Sequence, residues 1–382
     1  MNRPTLLSFY SGGGLVEAGL RGLVEPIGAV EYDPAIADVY RANHGDHVCV
    51  ARVEDLTPAA FDRPDMLWLS PPCQEHSAAR NKALGSRDDA DAGLAVLPFL
   101  RAWQPPFVFV ENVEGYKRAR SFKAIIHTLA ELGYWYDVQV LNAADYGVPQ
   151  TRRRLIVRAC RDGMMPQLPQ PQPWIGWYAA IEDLIPTLPE SEFAEWQLKR
   201  LPEQWRSFMH PYTTADGTTP PRLDDEPAFT ITSTVGKNMP RAFLVGGANT
   251  SAAQAAPGVG VSDAAEPARC VNASNSSHWR AFLVDGKPGD SGSYVAVRND
   301  GEPVFTVVAS SGHKQPIRAW LEQGRVVKMT PRALGRFMTL PDWYQLPAQN
   351  SLATKIIGNG VPSRFARQIV AVTCGLPLGD LT

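Results

Sequence analysis

A short apolar run that ends at two prolines constrains the fold of this chain more than any other feature. Residues 66–69 (Met-Leu-Trp-Leu) are apolar throughout, which predicts a buried strand of a parallel sheet. Pro71 and Pro72 end that strand, because proline fixes its own φ and cannot donate to a sheet ladder. Cys73 is therefore expected at the carboxyl end of a strand, where open α/β sheets place their chemistry. This position makes Cys73 a candidate nucleophile, and a buried, inert cysteine is the alternative.

A glycine-rich turn follows the first predicted strand. Residues 6–10 predict a short strand, residues 11–14 (Ser-Gly-Gly-Gly) a turn, and residues 15–20 have the apolar spacing of a helix. This order of strand, glycine turn and helix brings backbone N–H groups close to a ligand. A tight turn that binds nothing is the alternative.

Three acidic residues lie at or near the ends of predicted strands. Glu31 ends the second strand, where an acid can accept hydrogen bonds from both hydroxyls of a ribose. Glu111 ends the predicted strand 107–110 on the same sheet edge as Cys73, where a partly desolvated carboxyl could hold a proton near neutral pH. Asp55 could accept a hydrogen bond from an adenine amino group. The alternatives are a solvated carboxylate at Glu31, a helix cap at Asp55 and a structural carboxylate at Glu111.

Three consecutive arginines, residues 152–154, precede the predicted strand 155–158. Side chains of a strand alternate between its two faces, so Arg152 and Arg154 are expected to share the inward face. A solvated arginine run at the surface is the more common alternative.

Two helix starts carry clear signals. Asp33 is predicted to cap a helix that begins at Pro34, since proline is favoured at the first helical position. Ser121 is predicted to cap a second helix over residues 121–132, which Gly133 closes.

Composition limits the class of protein. A length of 382 residues suggests two domains, and no run of eighteen apolar residues exists that would predict a membrane span. The net charge is −2, so any surface for nucleic acid must be local. Five scattered cysteines argue against a disulfide framework or a zinc site and favour a reducing compartment, the cytoplasm. No metal is expected.

The middle of the chain differs from both ends. Residues 165–173 are rich in proline and predict a linker. Related segments then recur at residues 226–244, 266–283 and 302–321, and we interpret them as three hairpins whose polar tips could reach base edges in a groove. Residues 75–92 are polar with several cations and predict a mobile loop beside the active site, suited to phosphate contact. Ordinary polar turns and a plain solvated loop are the alternatives.

Taken together and in order, these motifs resemble those of the cytosine carbon-5 DNA methyltransferases. The matching set comprises residues 11–14, Glu31, Asp55, Pro71-Pro72-Cys73-Gln74, Glu111-Asn112-Val113, Gln150-x-Arg152-x-Arg154, Thr330-Pro331-Arg332 and Gly358-Asn359-x-Val361-Pro362. Order and spacing agree over nearly the whole chain apart from its middle region. Any one motif is weak, whereas the ordered set is highly specific.

The resemblance implies an α/β fold, a doubly wound and mostly parallel sheet of the Rossmann-like methyltransferase type, with a second, smaller β-rich domain. Residues 1–163 would form the first part of a catalytic domain that binds the cofactor. Residues 164–328 would form a target-recognition domain, and residues 329–382 would return to complete the catalytic domain.

The resemblance also implies a mechanism. Cys73 would add to ring carbon 6 of a cytosine flipped out of the duplex, and carbon 5 would then take a methyl group from S-adenosylmethionine. Glu111 would hold ring nitrogen 3. Arg154, together with Arg152, would hold the base carbonyl and support Glu111.

For the ligands, the resemblance implies two sets of residues. An aromatic residue at position 9 or 10 would pack on the adenine, Glu31 would bind the ribose and Asp55 the adenine amino group. The full cofactor set is Phe9, Tyr10, Ser11, Gly12, Gly13, Gly14, Glu31, Tyr32, Asp55, Leu56, Pro72, Asn359 and Val361. The DNA set is Gln74, Ser77, Arg80, Lys82, Arg87, Lys237, Arg241, His278, His313 and Lys314.

Double-stranded DNA is the expected partner. The chain resembles a stand-alone bacterial or phage enzyme, which is expected to be a monomer. The sequence does not decide whether a cognate restriction endonuclease exists. One alternative is an RNA cytosine-5 methyltransferase, against which the long repeated middle region argues. The other is a sequence-specific DNA-binding protein that has lost activity. That protein would be expected to have lost Cys73, Glu111 or Asn359, and all three are present.

Overall fold

A computed structural model of the chain describes residues 3–72, 92–190, 281–284, 297–299, 301–304, 318–321 and 326–379. The first of two units contains the described residues up to 175 and from 331 onward, and the second contains those between 176 and 330. The first unit extends past residue 163 because the predicted linker is bound to it. The Gln172 N–H donates to the Asp145 carbonyl at 2.9 Å, and the Trp174 indole donates to the Asp145 carboxylate at 2.7 Å.

The first unit is built on a seven-stranded sheet with the strand order β3-β2-β1-β4-β5-β7-β6. Its strands are β1 (Thr5–Phe9), β2 (Glu25–Glu31), β3 (Val48–Val50), β4 (Met66–Leu69), β5 (Phe107–Asn112), β6 (Trp135–Asn142) and β7 (Arg153–Cys160). Strands β1 to β5 pair in parallel, whereas β7 is antiparallel to both of its neighbours. The predicted mostly parallel sheet is confirmed.

Alternate residues of the central strands pack on opposite faces of this sheet. One face carries Leu6, Met66, Trp68, Phe109 and Ile156. The other face carries Leu7, Phe9, Leu67, Leu69, Val108, Val110 and Val157. Burial on both faces explains why these strands are apolar without alternation, since neither face meets water.

Helices cover both faces. In the described residues of the first unit they are α1 (Leu15–Leu20), α2 (Pro34–His44), α3 (Leu97–Trp103), α4 (Arg120–Glu131), α6 (Pro331–Phe337), α7 (Asn350–Asn359) and α8 (Ser363–Cys374), whereas the short helix α5 (Trp177–Ile181) belongs to the second unit. Helices α1 and α8 pack on one face, and α3 and α4 pack on the other, which is the doubly wound arrangement. None of these helices is long and apolar enough to cross a bilayer.

Of the two predicted caps, one is confirmed and one is wrong. The Ala35 N–H donates to the Asp33 carboxylate at 3.0 Å at the start of α2. Helix α4 begins at Arg120, one residue before the predicted start, and no side chain caps it. Ser121 is fully buried and pairs its hydroxyl with that of Tyr116 at 2.8 Å, so it is not available as a cap.

The end of the chain returns to the first unit through α8, which crosses α1. The Ser363 hydroxyl donates to the Leu15 carbonyl at 2.9 Å, and the Arg367 guanidinium donates to the Gly19 carbonyl at 3.0 Å. A Cβ atom on Gly19 would lie 2.1 Å from the carbonyl oxygen of Ser363, far inside van der Waals contact. Glycine at position 19 therefore sets how closely the two helices approach.

The described part of the second unit contains a four-stranded antiparallel sheet, β11-β10-β8-β9. Its strands are β8 (Ala281–Val284), β9 (Val297–Asn299), β10 (Arg318–Leu321) and β11 (Val326–Lys328). Strands β8 and β10 are the corresponding segments of the second and third sequence repeats, and they pair with each other. Each is also paired with the strand that follows it in the chain. The segment of the first repeat, residues 241–244, lies outside the described residues.

We expect Gly19→Ala to lower the free energy of unfolding by about 3 kcal/mol, because the added methyl group must push α8 away from α1. Urea denaturation of the full chain measures this change. Gly22→Ala is the matched control: its Cβ would meet no atom within 4 Å, and only its left-handed backbone, at φ +80°, is strained. The control is expected to lose about 1 kcal/mol. Equal losses in the two variants would contradict the close-approach argument.

Candidate active site

The strand order brings four strand ends together at one edge of the first unit's sheet. Strand β1 lies between β2 and β4, and β4 pairs with β5, all in parallel. Their carboxyl ends therefore face the same way. Helix α1, which follows β1, packs on one face of the sheet, and α3, which lies between β4 and β5 in the chain, packs on the other. The glycine turn, Glu31, Pro72 and Glu111 all follow or end these strands.

The glycine turn has one open residue and two packed ones. Gly12 has φ +57° and a Cβ added to it would meet no atom within 4 Å. On Gly13 the same atom would lie 2.6 Å from Ile356 Cγ2, and on Gly14 it would lie 2.4 Å from the His44 ring. Gly13 and Gly14 therefore allow α7 and α2 to pack on the turn, and Gly12 leaves the turn open on its other side.

Glu31 is buried, and both of its carboxylate oxygens are held by backbone amides. Gly12 N–H donates to Oε2 at 3.0 Å, and Asp33 N–H donates to Oε1 at 2.8 Å. Burial raises the pKa of Glu31, and these two amides, together with the nearby Lys355 ammonium, oppose that rise. Each carboxylate oxygen has a further lone pair, so the fixed group can still accept hydrogen bonds from a diol.

The aromatic residues of this edge differ from expectation. The ring of Phe9 is fully buried and packs edge-on against Phe99 at 4.8 Å between centroids, so the prediction that it contacts a ligand is wrong. Tyr10 has φ +58°, unusual for a side chain of its size, and its hydroxyl donates to the Ala92 carbonyl at 2.7 Å. Tyr32 is 54% exposed beside Glu31, and the Arg52 guanidinium lies over its ring, 5.5 Å from the centroid.

The remaining predicted cofactor residues divide by exposure. Asp55 is exposed at the end of a short 3-10 turn, and Leu56 is partly buried against the core. Asn359 is exposed at the end of α7. Val361 is 3% exposed inside the cluster under α1 and α8, so its side chain is a core residue rather than a ligand contact. Pro72 is half-buried at the sheet edge.

Glu111 is fixed by two polar partners at the end of β5, and a third group orients one of them. The Arg154 Nε atom lies 3.0 Å from Oε1, and the Ser70 hydroxyl donates to Oε2 at 3.3 Å. The Trp68 indole in turn donates to the Ser70 oxygen at 3.0 Å. Because Glu111 and Arg154 are both largely shielded from water, the pair holds a carboxylate in one orientation with little solvent screening.

Arg152 does not join this group, contrary to the prediction that it shares the inward face with Arg154. Strand β7 begins only at Arg153, so the strand alternation does not extend back to residue 152. The Arg152 guanidinium donates to the carbonyls of Gly358 and Gly360 at 2.9 and 2.8 Å. Arg152 therefore anchors the turn that carries Asn359.

Hydrogen bonds hold the polypeptide as far as Pro71, two residues before the predicted nucleophile. The Asn112 side-chain amide donates to the Pro71 carbonyl at 3.0 Å in a buried contact, and Ser70 binds Glu111. Residues outside the described part include the predicted nucleophile and every predicted DNA contact, namely Cys73, Gln74, Ser77, Arg80, Lys82, Arg87, Lys237, Arg241, His278, His313 and Lys314. In the described residues, no group of three or more His, Cys, Asp or Glu side chains could hold a metal ion.

Four further residues make hydrogen bonds or ion pairs that hold this edge. The sequence analysis did not predict these contacts. Ser70 and Asn112 hold the end of β4, Tyr344 donates its hydroxyl to the Gly13 carbonyl, and Lys355 pairs with Asp33 at 2.8 Å. Asn112 could have been found, because it directly follows Glu111 in a recognised motif. Tyr344 and Lys355 are more than three hundred residues from their partners, and no local pattern points to them.

Glu17, on α1 after the glycine turn, is a carboxyl enclosed beneath that turn. It is 2% exposed, and the hydroxyls of Ser8 and Tyr40 lie beside it. Burial raises the pKa of Glu17 to about 7. Near neutral pH the folded protein therefore holds this carboxyl partly protonated.

Comparisons with known proteins agree with the motif set. A profile of the family described as C-5 cytosine-specific DNA methylase matches residues 5–373. The type II methyltransferase M1.HphI of Haemophilus parahaemolyticus is 31% identical over 206 residues, which cover 50% of this chain and 54% of that protein. The type II methyltransferase M.FnuDI of Fusobacterium nucleatum is 34% identical over 156 residues, which cover 39% and 45%. The chain thus spans about half the length of the curated relatives it matches.

A solved structure supports the fold. The Dnmt2 methyltransferase of S. pombe superimposes with a TM-score of 0.56 at 13% identity, covering 98% of this chain and 99% of that one. At this identity the likeness concerns the fold alone.

We expect Glu17→Gln to stabilise the folded chain in a pH-dependent way. A carboxyl with a raised pKa in the folded state leaves stability highest below its usual pKa of 4.5, and stability falls as the pH rises through about 7 and then levels off. The variant removes this loss, so at pH 8 its free energy of unfolding should exceed that of the parent by up to about 3 kcal/mol. At pH 5 the difference should be much smaller.

Urea denaturation at the two pH values measures the effect. Glu54→Gln, a substitution of the same kind at an exposed position, is the control and should change stability equally at both. A pH-independent effect at position 17 would contradict the buried, protonated carboxyl.

Proposed function

The chain belongs to the C-5 cytosine-specific DNA methylase family, and from that premise we propose that it transfers a methyl group from S-adenosylmethionine to carbon 5 of cytosine in duplex DNA. One observation carries the proposal. The buried Glu111–Arg154 pair lies at the end of β5 and binds the strand end that leads to Cys73, on the sheet edge that also holds the open glycine turn and Glu31. In this proposal the Glu111 carboxyl binds the base and the Glu31 carboxyl binds the nucleoside, both at this same edge.

The residues at the glycine turn fit an adenosine cofactor. Gly12 leaves the turn open, the oriented Glu31 carboxylate suits the two ribose hydroxyls, and the exposed Tyr32 ring suits the adenine face. Asp55, also exposed, is proposed to accept from the adenine amino group. When bound, S-adenosylmethionine supplies an electrophilic methyl group.

The cytosine chemistry is assigned to three residues. The Cys73 thiolate adds to carbon 6, which makes carbon 5 nucleophilic enough to attack the methyl group. A proton shared between the Glu111 carboxyl and ring nitrogen 3 stabilises the electron density that moves onto that nitrogen, and Arg154 keeps Glu111 oriented and reaches the base carbonyl. Loss of the proton on carbon 5 then returns the electron pair to the ring and releases Cys73.

A base inside a duplex is out of reach of such a site, so the target cytosine must be flipped out at a cost of a few kcal/mol. Contacts to DNA phosphates and to base edges are proposed to offset this cost. They are assigned to the cationic and polar residues of the 75–92 segment and of the repeats. Residues 164–328 serve in this proposal as the target-recognition domain.

The relatives suggest a setting for the activity. The two named above are called type II methyltransferases, and we propose on that ground that this chain acts in a restriction-modification system with a cognate endonuclease as its counterpart. We propose that the methyltransferase itself acts as a cytoplasmic monomer.

We expect Cys73→Ala to retain binding of duplex DNA and S-adenosylhomocysteine while methyl transfer falls by at least about a thousandfold, because the variant lacks the nucleophile. Transfer of a tritiated methyl group to duplex DNA, with transfer RNA as a parallel substrate, measures this. Cys49→Ala, at a half-buried cysteine of β3, should retain activity. Substantial turnover by Cys73→Ala would contradict the assignment of Cys73 as the nucleophile. Labelling of transfer RNA alone would show that the substrate is RNA and not DNA.

We expect Tyr32→Ala to raise the KM for S-adenosylmethionine up to about tenfold with little change in kcat, because the adenine loses its stacking surface. Steady-state methyl transfer at saturating DNA separates the two constants. Tyr136→Ala removes an exposed tyrosine from β6 at the far side of the sheet and should leave both unchanged. An unaltered KM in Tyr32→Ala would show that the adenine lies elsewhere.

A further inference from the structure

Helix α7 carries a charged side chain that the proposed chemistry does not use. Lys355 Nζ lies 2.8 Å from Asp33 Oδ2. This ion pair joins two segments that are more than three hundred residues apart in the chain. The hydrogen bond between the two groups stabilises both charges. It therefore raises the pKa of Lys355 and lowers the pKa of Asp33. The side chain of Asp33 is 22% exposed and that of Lys355 is 42% exposed, so solvent screens the pair in part.

Asp33 connects this ion pair to the carboxylate at the cofactor edge. Its backbone N–H donates to Glu31 Oε1 at 2.8 Å. Its second carboxylate oxygen accepts from Ala35 N–H at 3.0 Å and so caps α2. One residue therefore ties together α7, the start of α2 and the orientation of Glu31.

The same turn of α7 also touches the glycine turn on the other side of Glu31. Ile356, next to Lys355, packs where a Cβ on Gly13 would be, and Gly12 N–H holds the second oxygen of Glu31. The return segment thus contacts Gly13, which follows the residue whose N–H binds Oε2, and the side chain of Asp33, the residue whose N–H binds Oε1. Lys355 supplies the charged one of these two contacts.

We propose that Lys355 is a positioning residue for the nucleoside part of the cofactor, and that it acts through Asp33 on Glu31 without touching the nucleoside. This inference rests on the proposed function, since it assigns the ribose hydroxyls to Glu31. Because the nucleoside is common to S-adenosylmethionine and S-adenosylhomocysteine, Lys355 affects the affinity for both equally. It leaves the chemical step on the methyl group unaffected once the site is saturated.

Isothermal titration of the full chain with S-adenosylhomocysteine tests this. Lys355→Met is expected to raise the Kd five- to tenfold, and Lys355→Arg, which keeps the charge, to stay within twofold of the parent. Asp33→Asn keeps a helix cap and the backbone N–H but removes the charge, so it should match Lys355→Met. The double variant should be no worse than either single one, because both break the same ion pair.

Two further measurements exclude a general loss of structure. Lys355→Met should keep kcat at saturating S-adenosylmethionine within twofold, and its affinity for duplex DNA should be unchanged. Lys123→Met, at an exposed lysine of α4, is the matched control and should bind S-adenosylhomocysteine as the parent does.

The outcomes separate this inference from the proposed function. If the parent binds S-adenosylhomocysteine and Lys355→Met binds it equally well, the positioning role is overturned and the proposed function stands. Additive losses in the double variant would also overturn it, because they would mean that Lys355 and Asp33 act independently. If the parent itself does not bind S-adenosylhomocysteine, the proposed function fails and the inference fails with it.

Discussion

Parallel pairing of β1, β2, β4 and β5 is the constraint on which the rest of the structure depends. Because these strands run in one direction, their carboxyl ends meet at a single edge, and every polar group placed just after a strand arrives there together. The residues concerned are far apart in the chain, from Gly12 to Glu111. A sheet with a different strand direction would separate the nucleoside-binding carboxylate from the base-binding one.

The antiparallel strand β7 brings an arginine to the carboxyl end of β5. It pairs with β5 in a register that sets Leu155 opposite Asn112, so Arg154 lies just beyond the end of β5 and reaches Glu111. A shielded carboxylate without its partner would be costly, since breaking a buried ion pair typically destabilises a protein by about 3–5 kcal/mol. The position of β7 thus keeps the Glu111 carboxyl group in one orientation at the sheet edge.

The sequence predicted well those features that depend on local order. The apolar runs predicted strands buried on both faces, and the acids at strand ends predicted where Glu31 and Glu111 lie. It failed where a side chain's direction mattered. Phe9 points into the core because it shares the face of Leu7 on β1, and Val361 packs under α1 and α8. Arg152 binds the turn at Gly358 and Gly360, a contact across more than two hundred residues that no periodicity encodes.

A crystal structure of the protein covalently trapped on duplex DNA that carries 5-fluorocytosine would test the account most directly. Fluorine at carbon 5 blocks the final elimination, so the adduct should persist. We predict a bond between Cys73 Sγ and carbon 6 of the extruded base, with ring nitrogen 3 within hydrogen-bond distance of the Glu111 carboxylate and S-adenosylhomocysteine bound at Glu31. A base held by other side chains, with ring nitrogen 3 out of hydrogen-bond distance of Glu111, would contradict the account.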